Sequence, residues 1–222
     1  MSESSHLLDV QDICLKQGDE TRLAPISFTL NAGERILLTG PSGSGKSTLL
    51  KIIASLLEPS GGEIFFKGTS FTQLKPEKYR QQVSYCFQTP VLFGTTVFDN
   101  LALPWTIRQR KVDVVALNNG LERVNLPQEI LNKKTEQLSG GEKQRVALLR
   151  NLQFLPDVLL LDEITSALDK ENKQLINQLI AERVNEQGVA VICISHDIAD
   201  IAQAQRVITL SPPDRKDAHE SA

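Results

Sequence analysis

Gly40-Pro41-Ser42-Gly43-Ser44-Gly45-Lys46-Ser47 follows the apolar run Arg35-Ile36-Leu37-Leu38-Thr39 and precedes Thr48-Leu49-Leu50-Lys51-Ile52-Ile53. The octet fits G-x-x-x-x-G-K-[ST], and it lies where that pattern has a mechanism, between a strand and a helix. Glycines let the backbone curl until successive N–H groups and the helix N-terminus face a phosphate. Lys46 then adds charge, and Ser47 offers a hydroxyl to Mg²⁺. A Gly/Ser-rich loop can match the pattern by chance, but chance does not also supply the flanking strand and helix. Leu49, Leu50, Ile53, Leu56 and Leu57 recur at helical spacing, so the helix is expected to run on to Glu58-Pro59-Ser60-Gly61-Gly62, which cannot continue it.

Outward from this loop, residues 7–13, 26–30 and 35–39 form short apolar segments punctuated by Gly18-Asp19 and Asn31-Ala32-Gly33. Residues 62–67 and 83–87 look like further strands, whereas 96–124 and 141–154 are richer in helix-type spacing. Beyond Pro156 come the apolar strand 158–161, a polar helix over 170–186, a strand at 189–195 and another at 206–210. Apolar runs alternating with helices predict an α/β fold whose largely parallel sheet is covered on both faces. The middle, approximately 90–155, reads as an inserted helical lobe, and 211–222, with Pro212-Pro213, as a mobile tail.

At 222 residues the chain holds one domain with an inserted lobe. Hydrophobic residues at 41% and charged residues at 23% exclude a disordered or fibrous chain. Lys plus Arg number 24 against 27 Asp plus Glu, a net charge of −3 that argues against a nucleic-acid partner. Cys14, Cys86 and Cys193 form no C-x-x-C pair and read as reduced thiols. The apolar runs fall far short of the roughly 18–20 residues of a spanning helix. Met1-Ser2-Glu3-Ser4-Ser5-His6 has no basic n-region followed by an apolar core, so a cytoplasmic location is expected.

Asp162 closes the apolar strand and Glu163 follows at once. A carboxylate at the C-terminal end of a parallel strand can hold the water shell of a magnesium ion, and its neighbour can act as base toward water at a phosphate. An Asp-Glu pair is also an ordinary polar strand end; the phosphate loop upstream favours the chemical role. His6 and His219 read as surface residues.

Leu138-Ser139-Gly140-Gly141-Glu142-Lys143-Gln144-Arg145 precedes Asp162 and resembles the signature of ABC transporter ATPases. The order of other parts is similar too: Gln88 resembles the Q-loop glutamine, Ser166-Ala167-Leu168-Asp169 the D-loop, and His196 the switch histidine. Over residues 7–210 the resemblance implies a P-loop NTPase fold, an ABC cassette with a RecA-like core, an N-terminal antiparallel β region and an inserted α-helical lobe. It implies ATP bound by Gly40, Pro41, Ser42, Gly43, Ser44, Gly45, Lys46, Ser47 and Thr48, with Mg²⁺ held by Ser47, Gln88 and Asp162. Glu163, His196 and Lys46 take the catalytic roles, and Ser139, Gly140 and Gly141 reach ATP on a second copy, so a homodimer is implied. Ser139 is equally able to be a plain helix N-cap. The remaining implications are a separate integral membrane permease and a peripheral place on the cytoplasmic face of the inner membrane.

At the family's aromatic adenine platform this chain departs, because the aligned residue is Leu15, which covers a base by apolar contact without a ring quadrupole. The segment Gln88-Thr89-Pro90-Val91-Leu92-Phe93-Gly94 is where the resemblance places the permease groove; Leu92 and Phe93 suit either that groove or the lobe's core, and Trp105 suits the core. Finer stretches, among them Tyr79 to Cys86, Asn100-Leu101 with Pro104-Trp105, and Asp162-Glu163-Ile164, resemble the ATP-binding subunits of enterobacterial iron exporters. Other ABC importers or exporters, and non-transport ABC regulators of a membrane partner, remain alternatives. No Asn-Lys-x-Asp guanine motif occurs, so the base is expected to be adenine.

Overall fold

The computed structural model describes residues 6–195, 201–202 and 204–212. In chain order it contains β1 (Leu8–Gln17), β2 (Glu20–Leu30), β3 (Arg35–Thr39), α1 (Lys46–Ile53), β4 (Gly61–Phe66), β5 (Thr69–Ser70), α2 (Pro76–Gln82) and β6 (Val83–Cys86). There follow α3 (Val97–Ile107), α4 (Val114–Arg123), α5 (Gly140–Leu152), β7 (Val158–Asp162), α6 (Lys170–Gln187), β8 (Ala190–Ile194) and β9 (Arg206–Thr209).

Two sheets result, one of order β2-β1-β4-β5 and one of order β6-β7-β8-β3-β9. Pairing is antiparallel throughout the first and parallel throughout the second. Every residue of β7 and β8 is buried, as a parallel sheet with both faces covered requires. Because side chains alternate along a strand, the sheet divides its residues between two cores. Leu37, Leu159, Leu161, Val191 and Cys193 face the core shared with α3, α4, α5 and α6. Ile36, Leu38, Leu160, Ile192 and Ile194 face the core shared with α1 and the antiparallel sheet. Helix α1 is thus sandwiched, with Leu49, Leu50, Ile52 and Ile53 fully buried.

Two details differ from the sequence reading. Helix α1 stops at Ile53 rather than continuing to Leu57. Ser55 adopts a left-handed φ of 56°, and the N–H groups of Leu56 and Leu57 turn back to the Lys51 carbonyl, so a left-handed cap closes the helix before the proline is reached. Leu56 and Leu57 are consequently exposed, at 43% and 40%. The hairpin strands β1 and β2 also extend further than their apolar cores, meeting at the Gly18-Asp19 turn.

Helices α3 to α5 lie in sequence between β6 and β7, which are neighbours in the sheet. Thr96 caps α3 in a reciprocal box with Asp99, and Asp113 caps α4. Trp105 is partly buried against the lobe's core and meets Phe154 edge to face at 4.9 Å. Leu92 packs against the same core, whereas Phe93 is 49% exposed beneath the Arg150 guanidinium. Among the described residues no helix is long and apolar enough to cross a membrane.

Candidate ATP site

The loop between β3 and α1 takes its shape from two glycines. Gly40, at φ 138°, lies so close to the chain that a Cβ would fall 2.4 Å from the Leu210 carbonyl oxygen. Gly45, at φ 92°, would put one 2.8 Å from the Arg22 carbonyl oxygen and 2.9 Å from Leu23 Cδ1. No other residue fits either place. Gly45 is also the N-cap of α1; among the described residues no side chain caps the helix, and no acidic residue stands in its first turn. The positive end of the helix dipole is therefore left for an external anion. Lys46 donates from Nζ to the carbonyl oxygens of Gly40 at 2.8 Å and Pro41 at 3.0 Å, so its charge is held over the loop.

Asp162, the last residue of β7, is 3% exposed. Its strand is not adjacent to β3, since β8 lies between them, yet α1 crossing the sheet brings Ser47 to it: Ser47 Oγ donates to Asp162 Oδ1 at 3.0 Å. The other oxygen, Oδ2, accepts from the Tyr85 hydroxyl at 2.6 Å. Burial first, and then the Asp162 carboxylate, push the Tyr85 phenol far above its ordinary value of 10.0, which keeps it a donor. Tyr85 was not anticipated from the sequence; its place on β6, beside β7, could be known only once the strand order was.

Glu163 stands in the left-handed region at φ 47°. Its N–H donates to the Ile194 carbonyl at 3.1 Å, and its own carbonyl accepts from Ser166 Oγ at 2.8 Å, bonds that hold the turn after β7. Gln88, exposed just after β6, donates from Nε2 to Glu163 Oε2 at 2.8 Å. Four residues from three stretches distant in sequence, Ser47, Gln88 and the Asp162-Glu163 pair, are thus brought together. An ion such as Mg²⁺ suits this donor set, a hydroxyl and a carboxylate oxygen side by side with no thiol or imidazole among the described partners.

Ser139 is the N-cap of α5: its side chain accepts from the Glu142 N–H at 3.2 Å, while its own N–H donates to Glu142 Oε2 at 2.6 Å. Burial alone would raise the Glu142 carboxyl, but the Ser139 N–H and the Lys133 ammonium overcome that and hold it below its ordinary value. A Cβ on Gly140 would meet nothing within 4 Å. Leu15 is half-buried and pairs with Leu23, the residue against which Gly45 packs. His196 lies outside the described residues, as do residues 213–222 of the expected tail.

The ABC transporter family model matches residues 23–166. The chain is 56% identical over 212 residues to "Probable iron export ATP-binding protein FetA" of Escherichia coli (strain K12), covering 96% of this chain and 94% of that protein. Among solved structures, the dimeric structure of MJ0796, a bacterial ABC transporter cassette, superposes with a TM-score of 0.84 at 30% identity over 92% of this chain and 94% of that one. The same cassette in a post-hydrolysis dimer bound to ADP and Pi gives a TM-score of 0.83, also at 30% identity, over 91% of this chain and 94% of that one. Together with the loop, signature and strand order described above, these likenesses place the chain in the ABC transporter family, as one of its ATP-hydrolysing cassettes.

Proposed function

We propose that this cassette drives iron export through a separate integral membrane permease, bound peripherally at the cytoplasmic face of the inner membrane and working as a homodimer. The observation that carries the cargo is the 56% identity, along nearly the whole of both chains, to the E. coli protein whose name specifies iron export. Residues 7–210 form the ATPase domain, with the helical lobe over approximately 90–155 and a tail at 211–222.

In this reading Gly40 to Thr48 wrap the ATP phosphates and Lys46 exchanges its carbonyl partners for phosphate oxygens. Leu15 covers the adenine. Ser47, Asp162 and Gln88 hold Mg²⁺, which neutralises charge on the phosphate oxygens when bound. Glu163, aimed by Gln88, orients the attacking water and accepts its proton, and His196 contacts the γ-phosphate. Ser139, Gly140 and Gly141 close on the nucleotide of the second copy. The open space around Gly140 supports that role: among the described residues nothing lies where its Cβ would be, so packing there does not require glycine.

Whole-cell iron under iron loading tests the reading, comparing a deletion strain with its parent and with the deletion restored by wild-type or Lys46→Ala protein. Raised iron in the deletion and the Lys46→Ala strains, relieved by wild type, is expected. Lowered iron would reverse the direction of transport, and unchanged iron would remove iron as the cargo.

A further inference from the structure

Asp162 has two carboxylate oxygens, and both are engaged. Oδ1 faces Ser47 Oγ at 3.0 Å; Oδ2 is tied to the Tyr85 hydroxyl at 2.6 Å. Tyr85 is 8% exposed, and Phe87 meets its ring edge to face with centroids 4.6 Å apart. The strand register fixes the pair from behind, Tyr85 opposite Leu160 and Cys86 opposite Leu161. Neither the ring nor the carboxylate is free to turn.

We propose that Tyr85 is a positioning residue that sets the metal preference of the ATP site, by occupying Oδ2 so that Asp162 offers a cation a single oxygen. The chemistry of the two common divalent ions makes this consequential. Mg²⁺ demands near-octahedral geometry, sheds water reluctantly and is served by one carboxylate oxygen that accepts from its water shell. Ca²⁺ takes more ligands, in looser geometry, and is well served by a carboxylate that chelates through both oxygens. With the phenol on Oδ2, chelation through both oxygens is opposed, because the cation would have to share or displace that hydrogen bond, whereas the Ser47 hydroxyl on Oδ1 can turn toward the cation itself. Changing the partner behind a ligand typically costs a metal site about 10–100-fold in affinity. Among the described residues nothing else donates to Oδ2, so the restriction depends on one hydroxyl.

The proposal rests on Asp162 being the carboxylate that serves the cation. Its test is equilibrium binding of a fluorescent ATP analogue to the full chain, in EDTA, in Mg²⁺ and in Ca²⁺, for wild type, Tyr85→Phe and Asp162→Asn. Wild type is expected to gain more affinity from Mg²⁺ than from Ca²⁺. In Tyr85→Phe, which keeps the ring and its packing, the Mg²⁺-to-Ca²⁺ ratio of affinities should fall about tenfold while the affinity in EDTA stays at the wild-type value. An unchanged ratio overturns the proposal, and so does an equal loss in all three conditions, the mark of a packing defect. If Asp162→Asn keeps the full Mg²⁺ gain, the reading of Asp162 itself fails and takes the proposal with it; if only the Tyr85→Phe ratio stays put, that reading survives alone.

Discussion

Gln88 Nε2 donates to Glu163 Oε2 across 2.8 Å, joining the loop after β6 to the turn after β7. Glu163 is held there on a left-handed backbone that a non-glycine residue adopts only under constraint. The bond orients the carboxylate proposed above as the base, and does so from the segment next to the expected permease groove. Replacement of Glu163 by Gln keeps the shape and removes the proton acceptor. ATP hydrolysis should fall by about 10²-fold or more, while binding of the ATP analogue persists and ATP drives a dimer visible by light scattering. Turnover at the wild-type rate would exclude Glu163 as the base.

Glu142 predicts an acid-sensitive element at the start of α5. Its carboxyl is held below the ordinary value of 4.5, so its stabilising effect is complete above that value and is lost as pH falls through the depressed one. Denaturant unfolding at pH 7 and again near pH 3.5 should show Glu142→Gln losing less stability on acidification than wild type. Equal losses would mean that the carboxylate adds nothing to the cap.

The Tyr79 hydroxyl donates to the Ile53 carbonyl at 2.6 Å and so ties α2 to the end of α1, in a site 1% exposed. The ring itself meets Phe66 edge to face at 5.4 Å. Tyr79→Phe therefore removes one buried hydrogen bond and little packing, and should cost about 1–2 kcal/mol in denaturant unfolding with ATP affinity unchanged.

The thiols should separate cleanly. Burial pushes Cys86 up to about 12, outweighing the Asn151 amide that donates to its sulfur at 3.0 Å, and Cys193 is buried as well. Cys14 is partly exposed. At pH 8 a disulfide reagent should titrate Cys14 in the native chain and the other two only after denaturation. Rapid native labelling of Cys86 would contradict the packing of β6 on α5.

Much of this was legible in the sequence because the information was local. The strand-loop-helix context of Gly40 to Ser47, the closed run ending at Asp162 and Ser139 as a helix N-cap each specify their own geometry within a few residues. What stayed hidden depended on the order of strands or on backbone conformation. Tyr85 and Asp162 meet only because β6 pairs with β7; the family resemblance already joins Ser47 to Asp162, but not the strand that lies between β3 and β7. The early end of α1 was hidden for a different reason: Ser55, not a glycine, takes the left-handed cap, while Leu56 and Leu57 continue the helical rhythm without being buried.

The grip of Lys46 on the Gly40 and Pro41 carbonyls bears on how the cassette lets go of its product. On the proposed reading, a nucleotide phosphate competes for the ammonium with two acceptors that the loop already supplies, so part of what each charge-assisted bond gains is offset by what the loop gives up. When the γ-phosphate leaves, the same carbonyls, held within reach by the loop itself, compete for the ammonium in that reading. With Lys46 in that role, the loop carries its own competitor for the ammonium, and that competitor favours release of the product.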